Sequence, residues 1–77
     1  MKLHIAQVNH VLYDDEAEAV TVPSTDGEIT VLSHHEPFIT TLTEGTITVK
    51  PWKGDGKTFD IKQGVLEVSN NKTTVLL

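Results

Sequence analysis

Side chains branched at Cβ set the strongest limit on what this chain can fold into. Thr, Val and Ile supply 25 of its 77 residues (11, 9 and 5), whereas Ala supplies three. A branched Cβ loses χ1 freedom against the preceding turn of a helix and packs well on a pleated surface, so the composition favours strands. The order of residues agrees. Gly45 to Lys50 alternates polar and apolar, Thr58 to Lys62 does the same, and Ala19 to Val22 is a shorter instance. No window of helical length spaces its apolar residues by three and four. Thr25 and Glu28 match a helix capping box, but Ile29-Thr30-Val31-Leu32 follows, which reads as a turn into a strand.

Turn signals punctuate the alternating runs at short intervals: Tyr13 to Glu16, Ser24 to Gly27, Ser33 to Pro37, Thr43 to Gly45, Lys53 to Gly56, Gly64, and Ser69 to Asn71. They leave room for about eight or nine short strands. That spacing predicts an all-β fold, a small antiparallel sandwich or flattened barrel, rather than strands alternating with helices. At 77 residues there is room for one core only, so residues 1–77 are expected to form a single domain.

Several function classes fall away on composition. The chain has no Cys, so neither a disulfide framework nor a thiolate zinc site is available. Its apolar runs reach two or three residues, as in Val75-Leu76-Leu77, where a membrane-spanning helix needs about 20. Lys2 and His4 interrupt the first stretch, so it does not read as a signal peptide, and a soluble cytoplasmic protein is expected. Eleven acidic residues face six basic ones, all Lys, for a net charge of −5. Only Lys50, Lys53 and Lys57 lie close together. That is too little for the basic patch that nucleic-acid binding requires, even with Trp52 among them. The acidic run Asp14-Asp15-Glu16-Ala17-Glu18 reads as a solvated turn whose charge discourages edge-to-edge pairing.

Catalytic and ligand motifs are weak. Gly54-Asp55-Gly56-Lys57-Thr58 ends like a phosphate-binding loop, but Pro51 stands where that motif needs its first Gly and a strand follows instead of a helix. Ser24, Ser33 and Ser69 lie in turns without a nucleophile elbow. Asn71-Lys72-Thr73 matches a glycosylation sequon in a chain without a secretory signal. His34, His35 and Glu36 are the best metal-ligand candidates. Adjacent residues on an extended segment point to opposite faces, however, and two imidazoles in a row rarely share one ion. No catalytic residue, cofactor or metal is expected. The alternative to a surface-presenting domain is a free-standing sandwich that binds a small ligand or metal through His34, His35 and Glu36.

The order of short motifs adds a resemblance. Lys2-Leu3-His4-Ile5 leads to Val20-Thr21-Val22-Pro23, then to Gly27-Glu28-Ile29-Thr30-Val31-Leu32 and His35-Glu36-Pro37. Thr41-Leu42-x-x-Gly45, Gly64-Val65-Leu66-Glu67-Val68 and Asn71-Lys72-Thr73-Thr74-Val75-Leu76 complete the series. Over essentially its whole length this resembles the N-terminal β-sandwich domain of the epsilon subunit of F-type ATP synthases. The resemblance implies a non-catalytic subunit of the central stalk, carried on the gamma subunit and the rotor ring and coupling proton or sodium flow to ATP synthesis elsewhere. It also implies a peripheral position on the inner face of the energy-coupling membrane, held through the complex.

Residue by residue, Glu28 matches the family's acidic position near the ring loops, and His35 with Pro37 matches its Gly-His-x-Pro turn. Ser33 and His34 stand where Pro-Gly is usual. The resemblance therefore implies a rotor-ring and gamma contact set of Glu28, Ser33, His34, His35 and Pro37, with the segment from Gly27 and the loop after it forming the end that faces the ring. Gly27, Gly45 and Gly64 are expected to serve backbone conformation. Most members continue into a helical hairpin; the sequence stops at Leu77, so a short form without the rotation-blocking hairpin is expected.

Overall fold

A computed structural model describes residues 1–34 and 36–77. Nine strands are present among the described residues: β1 (Lys2–Gln7), β2 (His10–Glu16), β3 (Ala19–Ser24), β4 (Gly27–Leu32), β5 (Phe38–Leu42), β6 (Gly45–Lys50), β7 (Lys57–Ile61), β8 (Gly64–Ser69) and β9 (Lys72–Leu76). They pair in the order β2-β1-β9-β8-β5-β3-β6-β7, with β4 paired to β3 off this path. The all-β sandwich expected from the alternation is therefore the fold. Five strands, β2-β1-β9-β8-β5, form one layer and four, β4-β3-β6-β7, the other. The layers join where Ser24 of β3 meets Leu42 of β5. All ladders are antiparallel except β1 with β9. Parallel neighbours need a long connection, and here nearly the whole chain separates the two strands.

Alternation decides what fills the core. Leu3, Ile5, Leu42, Leu66, Val68 and Val75 point inward from the five-stranded layer, and Val20, Val22, Val31, Ile47, Val49 and Ile61 from the other. Met1 packs with them, its Sδ accepting a hydrogen bond from the buried Thr73 Oγ1 at 3.3 Å. Among the described residues no buried side-chain polar atom lacks a partner. Burial of Thr73 is thus matched by a bond, as it must be to avoid a desolvation penalty of roughly 1–3 kcal/mol.

Two readings of the punctuation need correction. Tyr13 to Glu16 is not a turn but the second half of β2, where Tyr13 pairs with Ile5, Asp14 with His4 and Glu16 with Lys2. The turn is at Val8 and Asn9, with Asn9 at φ 65. β2 lies at the sheet edge, where charged side chains and the bulge between Ile5 and Ala6 guard exposed backbone groups; acidic residues there mark an edge, not a turn. The glycines divide as well. Gly27, at φ +115, does serve conformation. Gly45 and Gly64 serve space: an added Cβ would stand 2.8 Å from the Pro23 Cβ or the Leu77 Cδ2 respectively.

Candidate docking surface

The contact set splits between the two ends of the sandwich. Glu28 is exposed at the start of β4, just after the turn out of β3. That turn is shaped by Ser24, whose Oγ donates to the Gly27 carbonyl at 2.5 Å and accepts the Asp26 N–H at 3.2 Å. Ser33 and His34 follow the far end of the same strand. The five residue steps from Glu28 to Ser33 span about 17 Å of extended chain. The segment from Gly27 and the loop after it therefore lie at opposite ends of β4 and do not form one end.

The loop end is held from two sides. Ser33 Oγ accepts the Met1 ammonium at 3.1 Å, and that ammonium also donates to the Ala17 carbonyl at 2.9 Å. Asn71 Oδ1 accepts the His34 N–H at 3.1 Å. His34, at φ 66, presents an exposed imidazole, and Pro37 and Glu36 are exposed nearby. His35 lies outside the described residues. Among the described residues, no three His, Asp or Glu side chains come together to hold a metal ion.

The outer faces of the two layers differ in a way sequence reasoning missed. On the five-stranded layer, register aligns Val11, Ala6, Leu76 and Val65 in one rank across β2, β1, β9 and β8. Leu76 is 56% exposed, Val11 54% and Val65 43%. The next rank is Asp14, His4, Thr74, Glu67 and Ile39, with His4 Nδ1 3.3 Å from Asp14 Oδ1. Ile39 borders a shallow cavity of about 410 Å³ with Pro37, Phe38 and Glu67. The four-stranded layer instead shows a rank of Thr30, Thr21, Thr48 and Thr58, with the first two hydroxyls 2.9 Å apart. A hydroxyl rank stays hydrated without cost, whereas an exposed aliphatic rank leaves apolar surface in water.

A second cluster lies where β2 approaches the β6–β7 loop. Lys57 Nζ stands 6.0 Å from the centre of the Tyr13 ring, whose Oη donates to the Glu16 carbonyl at 2.9 Å. Burial, then the charges of Asp15 and Glu16, push the Tyr13 hydroxyl above its ordinary pKa of 10.0. The folded state thus keeps this proton to higher pH than the unfolded chain. As pH rises past 10.0 the unfolded state ionises first, and stability falls. Since the chain has one Tyr, tyrosinate absorbance reports this group alone. The folded chain is expected to titrate above 10.0 and the denatured chain near it; coincident midpoints would contradict the assignment.

Comparison with known proteins identifies the family. The family described as ATP synthase, Delta/Epsilon chain, beta-sandwich domain matches residues 1–77. The ATP synthase epsilon chain of Gloeothece citriformis is 36% identical over 77 residues, covering 100% of this chain and 55% of that relative. That of Caulobacter vibrioides is 40% identical over 80 residues, covering 97% of this chain and 88% of the relative. The chain spans 55 to 60% of the relatives from Gloeothece citriformis and Corynebacterium efficiens. A chain in the cryo-EM structure of the Euglena gracilis mitochondrial ATP synthase, OSCP/F1/c-ring, superimposes with a TM-score of 0.92. It shares 22% identity, with 99% of this chain and 49% of that chain covered, so the likeness speaks for the fold. This chain belongs to the ATP synthase delta/epsilon family and forms its β-sandwich domain.

Proposed function

We propose that the chain acts as a non-catalytic subunit of the central stalk of a rotary ATP synthase, docking on the gamma subunit and on the rotor ring so that ion flow is coupled to ATP synthesis at catalytic sites elsewhere. The sequence match over all 77 residues supports the assignment to this machine. The observation that carries the docking half is the exposed rank Val11, Ala6, Leu76 and Val65, an aliphatic strip with the exposed Ile39 in the next rank of the same face. Gamma covers this face along the strands, from the aliphatic strip at one end to the 33–37 loop at the other. The opposite end, with Glu28 exposed after its Gly27 turn, meets the polar loops of the ring. No helix among the described residues is long and apolar enough to cross a membrane. The chain's place at the inner face of the membrane is accordingly assigned through its partners.

The test is size-exclusion chromatography of this chain mixed with the gamma subunit of the same organism. A stable one-to-one complex at micromolar concentration supports the proposal; separate elution overturns the gamma half. Glu28→Ala is expected to leave gamma affinity within about twofold, because Glu28 stands on β4 of the other layer, outside that face, and rim charges act on approach and register. A larger loss would place Glu28 inside the gamma contact.

A further inference from the structure

The β8–β9 turn is built by Asn70 and Asn71 at φ 49 and 59, left-handed conformations that Asn adopts more readily than other side chains. Asn71 does more than turn the chain. Its carbonyl accepts the Lys2 N–H at 3.2 Å, and its side-chain Oδ1 accepts the His34 N–H at 3.1 Å, joining residues 37 apart in sequence. Ser33, the neighbour of His34, is engaged from another direction by the Met1 ammonium. The loop start at Ser33 and His34 is therefore fixed by two distant segments, although the His34 side chain itself is exposed. The sequon Asn71-Lys72-Thr73 also gains a structural meaning, since Thr73 is wholly buried and Asn71 spends its amide oxygen on the loop.

We propose that Asn71 is a positioning residue, its amide oxygen holding the His34 turn in the orientation that the partner subunit meets. The inference rests on the reading that gamma covers the Ser33–Pro37 loop. A loop locked before binding has less freedom to lose on binding, so the latch raises affinity without touching the partner.

Two variants isolate the bond. Asn71→Gly keeps the left-handed backbone and removes the acceptor, whereas Asn71→Asp keeps both. In the free chain, Asn71→Gly is expected to speed hydrogen exchange of the His34 amide by about fivefold, the factor of one net hydrogen bond. It is expected to weaken gamma binding by a similar factor, with Asn71→Asp within about twofold of the parent in both measurements. Unchanged His34 exchange in Asn71→Gly overturns the latch. Faster exchange with unchanged gamma affinity shows that the latch orders a loop outside the contact, and overturns the positioning role. If the parent chain does not bind gamma, the docking reading fails and the affinity effect with it, while His34 exchange still decides the latch.

Discussion

Leu66→Ala is expected to lower the melting temperature by about 10–30 °C, the largest stability loss among single substitutions in β8. Leu66 is fully buried at the middle of that strand, flanked by Thr40 on β5 and Val75 on β9. Truncating such a side chain removes its transfer free energy and leaves a cavity that rigid neighbours cannot close, at a cost of about 2–5 kcal/mol. The total stability of a domain this size is about 4–12 kcal/mol, so the loss is a large share of it. The neighbouring Val65 points the other way and is partly exposed. Val65→Ala is accordingly expected to shift melting by no more than a few degrees. Because the side-chain period of a strand is two, the pair also tests register: a one-residue slip of β8 would exchange the two results. Thermal unfolding of both variants, followed by far-ultraviolet circular dichroism, supplies the comparison.

The features legible in the sequence were those set by neighbours along the chain. Gly45 to Lys50 alternates, and the structure buries Ile47 and Val49 while exposing Thr46 and Thr48. Ser69 to Asn71 reads as a turn, and left-handed Asn70 and Asn71 make it. Features set by neighbours across the sheet were not legible. Asp14 and Glu16 look like turn residues until β1 places His4 and Lys2 opposite them. Glu28 and Ser33 sit close in sequence, yet the strand between them carries them to opposite ends of the molecule. Most of all, Ala6, Val11, Val65 and Leu76 are unremarkable residues on four separate strands. Only the ladders β1–β2, β1–β9 and β8–β9 bring them into one rank. Asn71 belongs to the same class, for its tie to His34 exists only in the folded chain.

The apolar rank leads to the largest expected effect on binding. Leu76→Glu is expected to weaken the complex with gamma by about 30-fold or more, the loss typical of a central anchor residue at a protein interface. Leu76 lies between Ala6 and Val65 in the rank, so a partner covering the strip must desolvate whatever stands there. A carboxylate sealed under aliphatic contact without a cation loses its hydration and gains nothing in return. The fold should tolerate the change, because the Leu76 side chain is 56% exposed and makes no core contribution. Thr48→Glu is the matched control: an exposed position, the same new charge, but on the hydroxyl rank of the other layer. Both variants are expected to melt within a few degrees of the parent, with only Leu76→Glu losing gamma in a titration. The reverse outcome, binding lost with Thr48→Glu and kept with Leu76→Glu, would move the contact to the four-stranded layer. The aliphatic rank would then need another partner.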